Sequence, residues 1–250
     1  MITKRVMRTA LAAGLLATSL FGALPTYASV VIAGTRVIYN GGEREVTVKL
    51  TNEGKSPALT QIWLDKGDPK AAPSTIDVPF VVTPPVTRID PGKGQTLRIL
   101  HAGAQLPQDK ESVFWLNVLE IPPKPGADEA DANRLQLAFR SRIKLFYRPQ
   151  GLKGNAQEAP AQVRWKVVPA GKHPALEASN PTQYHVSFAD IEVSGGGKTA
   201  KFDDGGMVGP GETKQFPLTG ELAPSGELKV HYHAINDFGG PLEGDATAAP

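Results

Sequence analysis

The sequence predicts an all-β protein built from two consecutive sandwich domains. Three observations carry that expectation. Apolar and polar residues alternate at period two through almost every patterned segment after Ala28. These segments are short, separated by glycine, proline and other turn residues, and none shows a convincing amphipathic helical face. A hinge-like break at Pro149-Gln150-Gly151-Leu152-Lys153-Gly154 divides them into two sets, expected to be domains over residues 29–149 and 154–250.

The first 28 residues stand apart. Met1 to Arg8 carries Lys4, Arg5 and Arg8 without an acid, and Thr9 to Leu24 is apolar. Pro25-Thr26-Tyr27-Ala28 then places small residues at the positions a signal peptidase reads before Ser29. Residues 1–28 are therefore expected to be a secretory signal peptide, its apolar run being short for a membrane span. The full chain has 27 Lys+Arg against 25 Asp+Glu, a formal charge of +2; removing three cations leaves 24 against 25, or −1. No general attraction to nucleic acid is expected from that balance. The chain has no cysteine, which rules out thiolate catalysis, disulfides and cysteine-bound metal.

Strands are expected at Val30 to Tyr39, Glu45 to Thr51, Leu59 to Leu64, and Phe80 to Val82, running into the Thr83-Pro84-Pro85 break. Val86 to Ile89, Thr96 to Leu100 and Val113 to Ile121 follow. A polar, acidic loop, Pro122 to Asn133, leads into the longest candidate, Asn133 to Pro149. Its odd row is Leu135, Leu137, Phe139, Ser141, Ile143, Leu145 and Tyr147; its even row carries Arg140, Arg142, Lys144 and Arg148, interrupted by Phe146. Strands average about five or six residues, so this length needs a reason. The apolar row reads as core and the cationic row as a solvated face. Phe146 marks where the stripe leaves solvent, and Arg148 is placed to pair with a carboxylate between the domains. The second set comprises Gln162 to Val168, Tyr184 to Val193, Lys198 to Phe202, Thr213 to Leu218 and Glu227 to Ile235. The end from Gly244 reads as a frayed tail.

Signatures of catalysis are weak. Gly195-Gly196-Gly197-Lys198-Thr199 lacks the earlier glycine of a phosphate loop and reads as a hairpin turn. Asp203-Asp204-Gly205-Gly206 reads as a turn rather than a calcium loop. His231 and His233 alternate on one strand, but no carboxylate lies nearby at an obvious ligand spacing, so no metal or cofactor is expected. An exported adhesin or carbohydrate-binding module would need aromatic residues in loops, whereas Trp63, Trp115 and Trp165 lie in predicted strands.

Several ordered segments together carry a family resemblance. They are Thr35 to Tyr39, Val81-Val82-Thr83-Pro84-Pro85-Val86-Thr87-Arg88-Ile89-Asp90-Pro91-Gly92, Leu106 to Asn117, Glu120-Ile121-Pro122-Pro123, Ile143 to Pro149, and Asn236-Asp237-Phe238-Gly239. In these the mature chain resembles the periplasmic pilus (fimbrial) assembly chaperones of the chaperone–usher pathway. The resemblance implies two immunoglobulin-like β-sandwich domains set at an angle with a cleft between them, and a binding role without enzymatic turnover. It implies pilin subunits and an outer-membrane usher as partners, a periplasmic location, and an exposed strand that also allows a self-capping homodimer. Leu135, Leu137 and Phe139 match the donor-strand positions that fill the pilin groove. Arg36 and Lys144 match the pair that grips the pilin's terminal carboxylate, and Glu111, Arg148 and Asp237 match an interdomain ionic cluster. The chain departs from some relatives in lacking a cysteine pair in the second domain. Its loop at Pro122 to Asn133 also lacks the extended hydrophobic run of the long-loop branch.

Overall fold

The computed structural model describes residues 29–122, 137–171, 173–222 and 226–249; the expected signal peptide, most of the Pro122–Asn133 loop and Leu135 lie outside them. The first domain contains β1 (Val30–Ile32), β2 (Arg36–Asn40), β3 (Glu45–Asn52), β4 (Ala58–Asp65), β5 (Phe80–Thr83), β6 (Val86–Ile89), β7 (Gly94–His101), β8 (Ser112–Ile121) and β9 (Phe139–Arg148). They form one sheet in the order β1-β3-β7-β5 and a second in the order β2-β9-β8-β4-β6. Alternation along each strand turns one row inward, so Leu50, Leu97 and Ile99 of the first sheet meet Ile62, Leu116 and Leu145 of the second. All six are at most 2% exposed.

The expected single strand from Val30 to Tyr39 is two strands in different sheets. β1 pairs with β3, whereas β2 runs parallel to β9. The chain crosses between them at residues 33–35, where Gly34 adopts φ of +98°, a region that disfavours any side chain. The Thr83-Pro84-Pro85 break makes a second crossing, from β5 beside β7 to β6 beside β4. Switching sheets in this way closes a sandwich without long connections.

The second domain contains β10 (Arg164–Ala170), β11 (His173–Ser179), β12 (Val186–Gly195), β13 (Lys198–Phe202), β14 (Gly206–Val208), β15 (Thr213–Pro217), β16 (Thr219–Gly220), β17 (Leu228–Ile235) and β18 (Pro241–Ala249). Their hydrogen-bonded order is β15-β11-β10-β18-β17-β12-β13-β16, with β14 also on β12. An aromatic group fills its separate core: Trp165, Phe188, Phe216 and Tyr232, with Trp165 5.2 Å from Phe188. The Gly195–Thr199 segment turns the β12–β13 hairpin, with Gly196 and Gly197 at positive φ.

The sequence reading leaves out one strand here and misreads another. β11 contains Pro174, Ala175, Glu177 and Ala178, residues of low strand propensity. It forms because β10 and β15 flank it on both sides. The end of the chain is not frayed. Pro241–Ala249 pairs along the whole of β17, and Ala248 also meets Trp165 of β10. Its small residues are a packing requirement, since a Cβ on Gly244 would collide with the Tyr232 ring. The strand thereby joins the two layers of the domain.

Candidate functional site

The long strand β9 organises the site. Its inner row goes to the first core: Leu145 and Tyr147 are buried and Ile143 packs against them. The parallel register places Val37, Tyr39 and Asn40 beside Leu145, Tyr147 and Arg148, and Arg36 beside Lys144. Two cations 108 positions apart thereby become neighbours on one face.

The cationic row is not the solvated face its composition suggests. Arg142 bonds Asp65, with Nε 3.2 Å from Oδ2, and its guanidinium lies 4.2 Å from the Trp115 ring centroid. Arg140 donates from Nε to Asn117 Oδ1 at 2.9 Å and stacks over Trp63 at 5.0 Å. Asn117 Nδ2 in turn donates to Asp65 Oδ2 at 2.8 Å. Burial alone would push the Asp65 carboxyl upward, but its bonds from Arg142, Asn117 and the Gly67 amide hold it below the usual range. Asp65, Trp63 and Trp115 come from β4 and β8, so no spacing along β9 announces them.

At the inner end of β9, Arg148 joins the domains. Its Nε donates to Glu111 Oε1 at 2.7 Å, and its two terminal nitrogens donate to Asp237 at 2.6 and 2.9 Å. Glu111 lies just before β8 and Asp237 on the β17–β18 turn. Glu111 Oε2 also accepts from the backbone N–H of His185 at 2.8 Å, and the Glu111 N–H donates to Gln183. Although burial disfavours the Arg148 cation, its bonds to Asp237 and the charge of Glu111 raise its pKa. Sequence reading missed His185 and Gln183, which carry no signature beyond their place between two strands.

Arg36 and Lys144 are differently placed. Arg36 donates one bond, from Nη1 to the Ile235 carbonyl at 2.9 Å, and its buried Nε has no partner. Lys144 Nζ donates to the Ser187 hydroxyl of β12 at 3.2 Å and lies 5.6 Å from the Trp115 centroid. Among the described residues neither forms an ion pair. Burial lowers the Arg36 pKa. Burial, followed by repulsion from Arg36 and Lys214, lowers that of Lys144 from 10.5 to about 8.

Only Lys144–Arg148 of β9 pair with β2; among the described residues its outer half, Phe139–Ile143, pairs on one side with β8. That half is an edge. Phe139 and Leu137 are 43% and 56% exposed and belong to neither core. The expected strand from Asn133 has its described strand beginning at Phe139. His231 and His233, which lack nearby carboxylates in sequence, meet three of them in space: Asp190, Glu243 and Asp245.

Both halves of the chain match known families. Residues 29–153 match a model described as pili and flagellar-assembly chaperone, PapD N-terminal domain, and residues 158–246 match pili assembly chaperone PapD, C-terminal domain. The probable fimbrial chaperone YadV of Escherichia coli (strain K12) is 48% identical over 221 residues, 88% of this chain and 89% of that protein. Chaperone protein FimB/FhaD of Bordetella pertussis is 49% identical over 217 residues, covering 85% of each. The crystal structure of the YadV chaperone gives a TM-score of 0.75 at 45% identity, covering 88% of this chain and 100% of that one. The structure of the Salmonella enterica SafA pilin in complex with the SafB chaperone gives 0.72 at 28% identity, covering 90% and 97%. With both family domains matched in order on a two-sandwich fold, this chain belongs to the PapD family of pili assembly chaperones.

Proposed function

We propose that this protein is a periplasmic chaperone that binds, folds and caps pilin subunits by donor-strand complementation and delivers them to an outer-membrane usher. The observation that carries the reading is a pair of adjacent cations that form no ion pair among the described residues, at the inner end of a strand whose outer half is paired on one side only among those residues. Residues 1–28 direct export and are removed, leaving domains at 29–149 and 154–250. The Ser29 nitrogen stands 3.2 Å from Glu120 Oε2, a site suited to the charged amine that cleavage would create. The role is binding without turnover.

In this mechanism a pilin carboxylate enters the cleft and accepts charge-assisted bonds from Arg36 and Lys144. Anchoring the chain end fixes the register of everything that follows, because a one-residue slip turns every side chain over. The subunit's exposed strand then pairs with the edge of β9. Leu135, Leu137 and Phe139 fill its groove, in the β-strand addition of which chaperone–pilin complexes are themselves a known instance. Glu111, Arg148 and Asp237 hold the second domain against the cleft. The SafB chaperone's complex with the SafA pilin supports the partner class. Release follows exchange with the strand of another subunit. The same exposed edge allows a self-capping homodimer of the free chaperone.

Co-expression with a pilin subunit lacking its final strand tests the reading. Wild-type protein should co-purify with the subunit, while Arg36→Ala and Lys144→Ala should remain folded and lose it. Unchanged capture by both variants would refute the carboxylate anchor.

A further inference from the structure

The strands β12, β17 and β18 carry two aligned rows of chemistry unrelated to pilin capture. One row is Glu192, His231 and Asp245; the next is Asp190, His233 and Glu243. Directly opposed residues on antiparallel neighbours project to the same side, so two imidazoles and four carboxylates share one patch. The two rings meet edge to face, 5.0 Å between centroids.

The protonation pattern within the patch follows from its hydrogen bonds. His231 Nδ1 lies 2.8 Å from Asp245 Oδ1, and His233 Nδ1 lies 2.7 Å from Asp190 Oδ1. An ionised carboxylate only accepts, so each Nδ1 carries the proton and donates. In a neutral ring held this way Nε2 keeps its lone pair, which is the tautomer of a metal-ligating histidine supported from behind by a carboxylate. His233 Nε2 stands 3.6 Å from Glu243 Oε1. That is too long for a hydrogen bond. It is near the ~3.4 Å separating two ligand atoms that each lie about 2.0–2.2 Å from a tetrahedral zinc ion. One ligand atom from each of His231, His233 and Glu243 lies within 4.8 Å of the others. Glu192 is already engaged by Lys201 at 2.7 Å.

We propose that His231, His233 and Glu243 bind one divalent ion of the zinc class, with Asp190 and Asp245 orienting the two imidazoles. Two nitrogens and one carboxylate oxygen suit zinc, with water completing the shell. The ion ties β17 to β18, the strand that joins the two layers of the second domain, and so stabilises the folded state in proportion to its occupancy.

The test uses the full mature chain without a polyhistidine tag, stripped with EDTA and titrated with Zn²⁺ against a chromogenic chelator. One equivalent should bind, raise the thermal midpoint, and be replaceable by Co²⁺ with visible d–d absorption. His231→Gln and His233→Gln should each lose at least tenfold in affinity, and Asp190→Asn should weaken it about 10- to 100-fold. His173→Gln, on β11, should bind as the wild type does. The histidine side chains are 42% and 33% exposed, so unfolding in EDTA should be matched across the set. Should His233→Gln alter that unfolding, the more exposed His231→Gln decides. No zinc uptake, uptake indifferent to both substitutions, or equal loss in His173→Gln would each overturn the proposal.

Discussion

Arg148 and Lys144 lie four residues apart on β9, project to the same side, and are both partly buried, yet their electrostatic circumstances are opposite. Arg148 has Glu111 and Asp237 within 2.7 Å, and its cation is held more firmly than in water. Lys144 has a neutral hydroxyl and two neighbouring cations, and its ammonium is held less firmly, with a pKa near 8. Burial costs both charges solvation; the difference is whether the fold supplies a partner. Where it does, the charge is part of the structure joining two domains. Where it does not, among the described residues, folding leaves a cation without an ion-pair partner, and under the proposed function that partner comes from another molecule. A carboxylate is the group that would satisfy it, since the two cations offer donors to both of its oxygens.

The sharpest way to break the contrast is to remove a partner from the closed cluster. Glu111→Ala leaves Arg148 short of one counter-ion and the His185 amide without its acceptor. Unfolding in urea should show a loss of about 3–5 kcal/mol, the range for breaking a buried pair from one side. Lys144→Ala should behave in the reverse sense. Its urea midpoint should stay level or rise, because a desolvated cation is removed. Pilin capture should weaken by about 1.5–3 kcal/mol, the worth of hydrogen bonds to a charged group. A large stability loss in Lys144→Ala would make it a structural residue and erase the distinction.

How much of this was legible in the sequence depends on whether a partner lies on the same strand. The two rows of β9 were readable by period, and Phe146 signalled correctly that the cationic row does not stay in solvent. The pairing of Arg140 and Arg142 with Asp65 was invisible, because Asp65 ends β4 and reaches them through sheet order alone. The adjacency of Arg36 and Lys144 likewise depends on the parallel register of β2 with β9, which family resemblance could suggest and periodicity could not. The same holds for His231 and His233, whose carboxylates stand on β12 and β18. Small residues misled in β18, where Gly244 and Ala248 look like a tail but are the size Tyr232 and Trp165 leave room for.

The pH dependence sharpens the comparison further. The folded Lys144 has a pKa of about 8 against 10.5 for the unconstrained side chain. Between those values the unfolded chain holds a proton that the native protein has lost, so the stability contributed by this group rises with pH across that window. Below pH 8 both states are protonated and the group adds no slope. Pilin binding should run oppositely, since the carboxylate needs the ammonium: above pH 8 affinity should fall, approaching tenfold per unit. Isothermal titration from pH 7 to 10 should show this in the wild type, and Lys144→Ala should flatten it.

The smallest effect separates the ammonium's resting partner from its functional one. Ser187 is buried and accepts from Lys144 across the cleft. Ser187→Ala should cost about 0.5–1.5 kcal/mol of stability, the net worth of one hydrogen bond. It should also move the Lys144 pKa further below 8, because a hydrogen-bond acceptor favouring the charged form is gone and, among the described residues, only the Trp115 ring remains. Capture should nevertheless change less than in Lys144→Ala, since a bound carboxylate replaces the hydroxyl as acceptor. Titration of a ¹⁵N-labelled lysine signal beside the capture assay checks both halves. If Ser187→Ala weakened capture as much as Lys144→Ala, the hydroxyl would be positioning the ammonium for its ligand, and Lys144 would be as dependent on its own fold as Arg148.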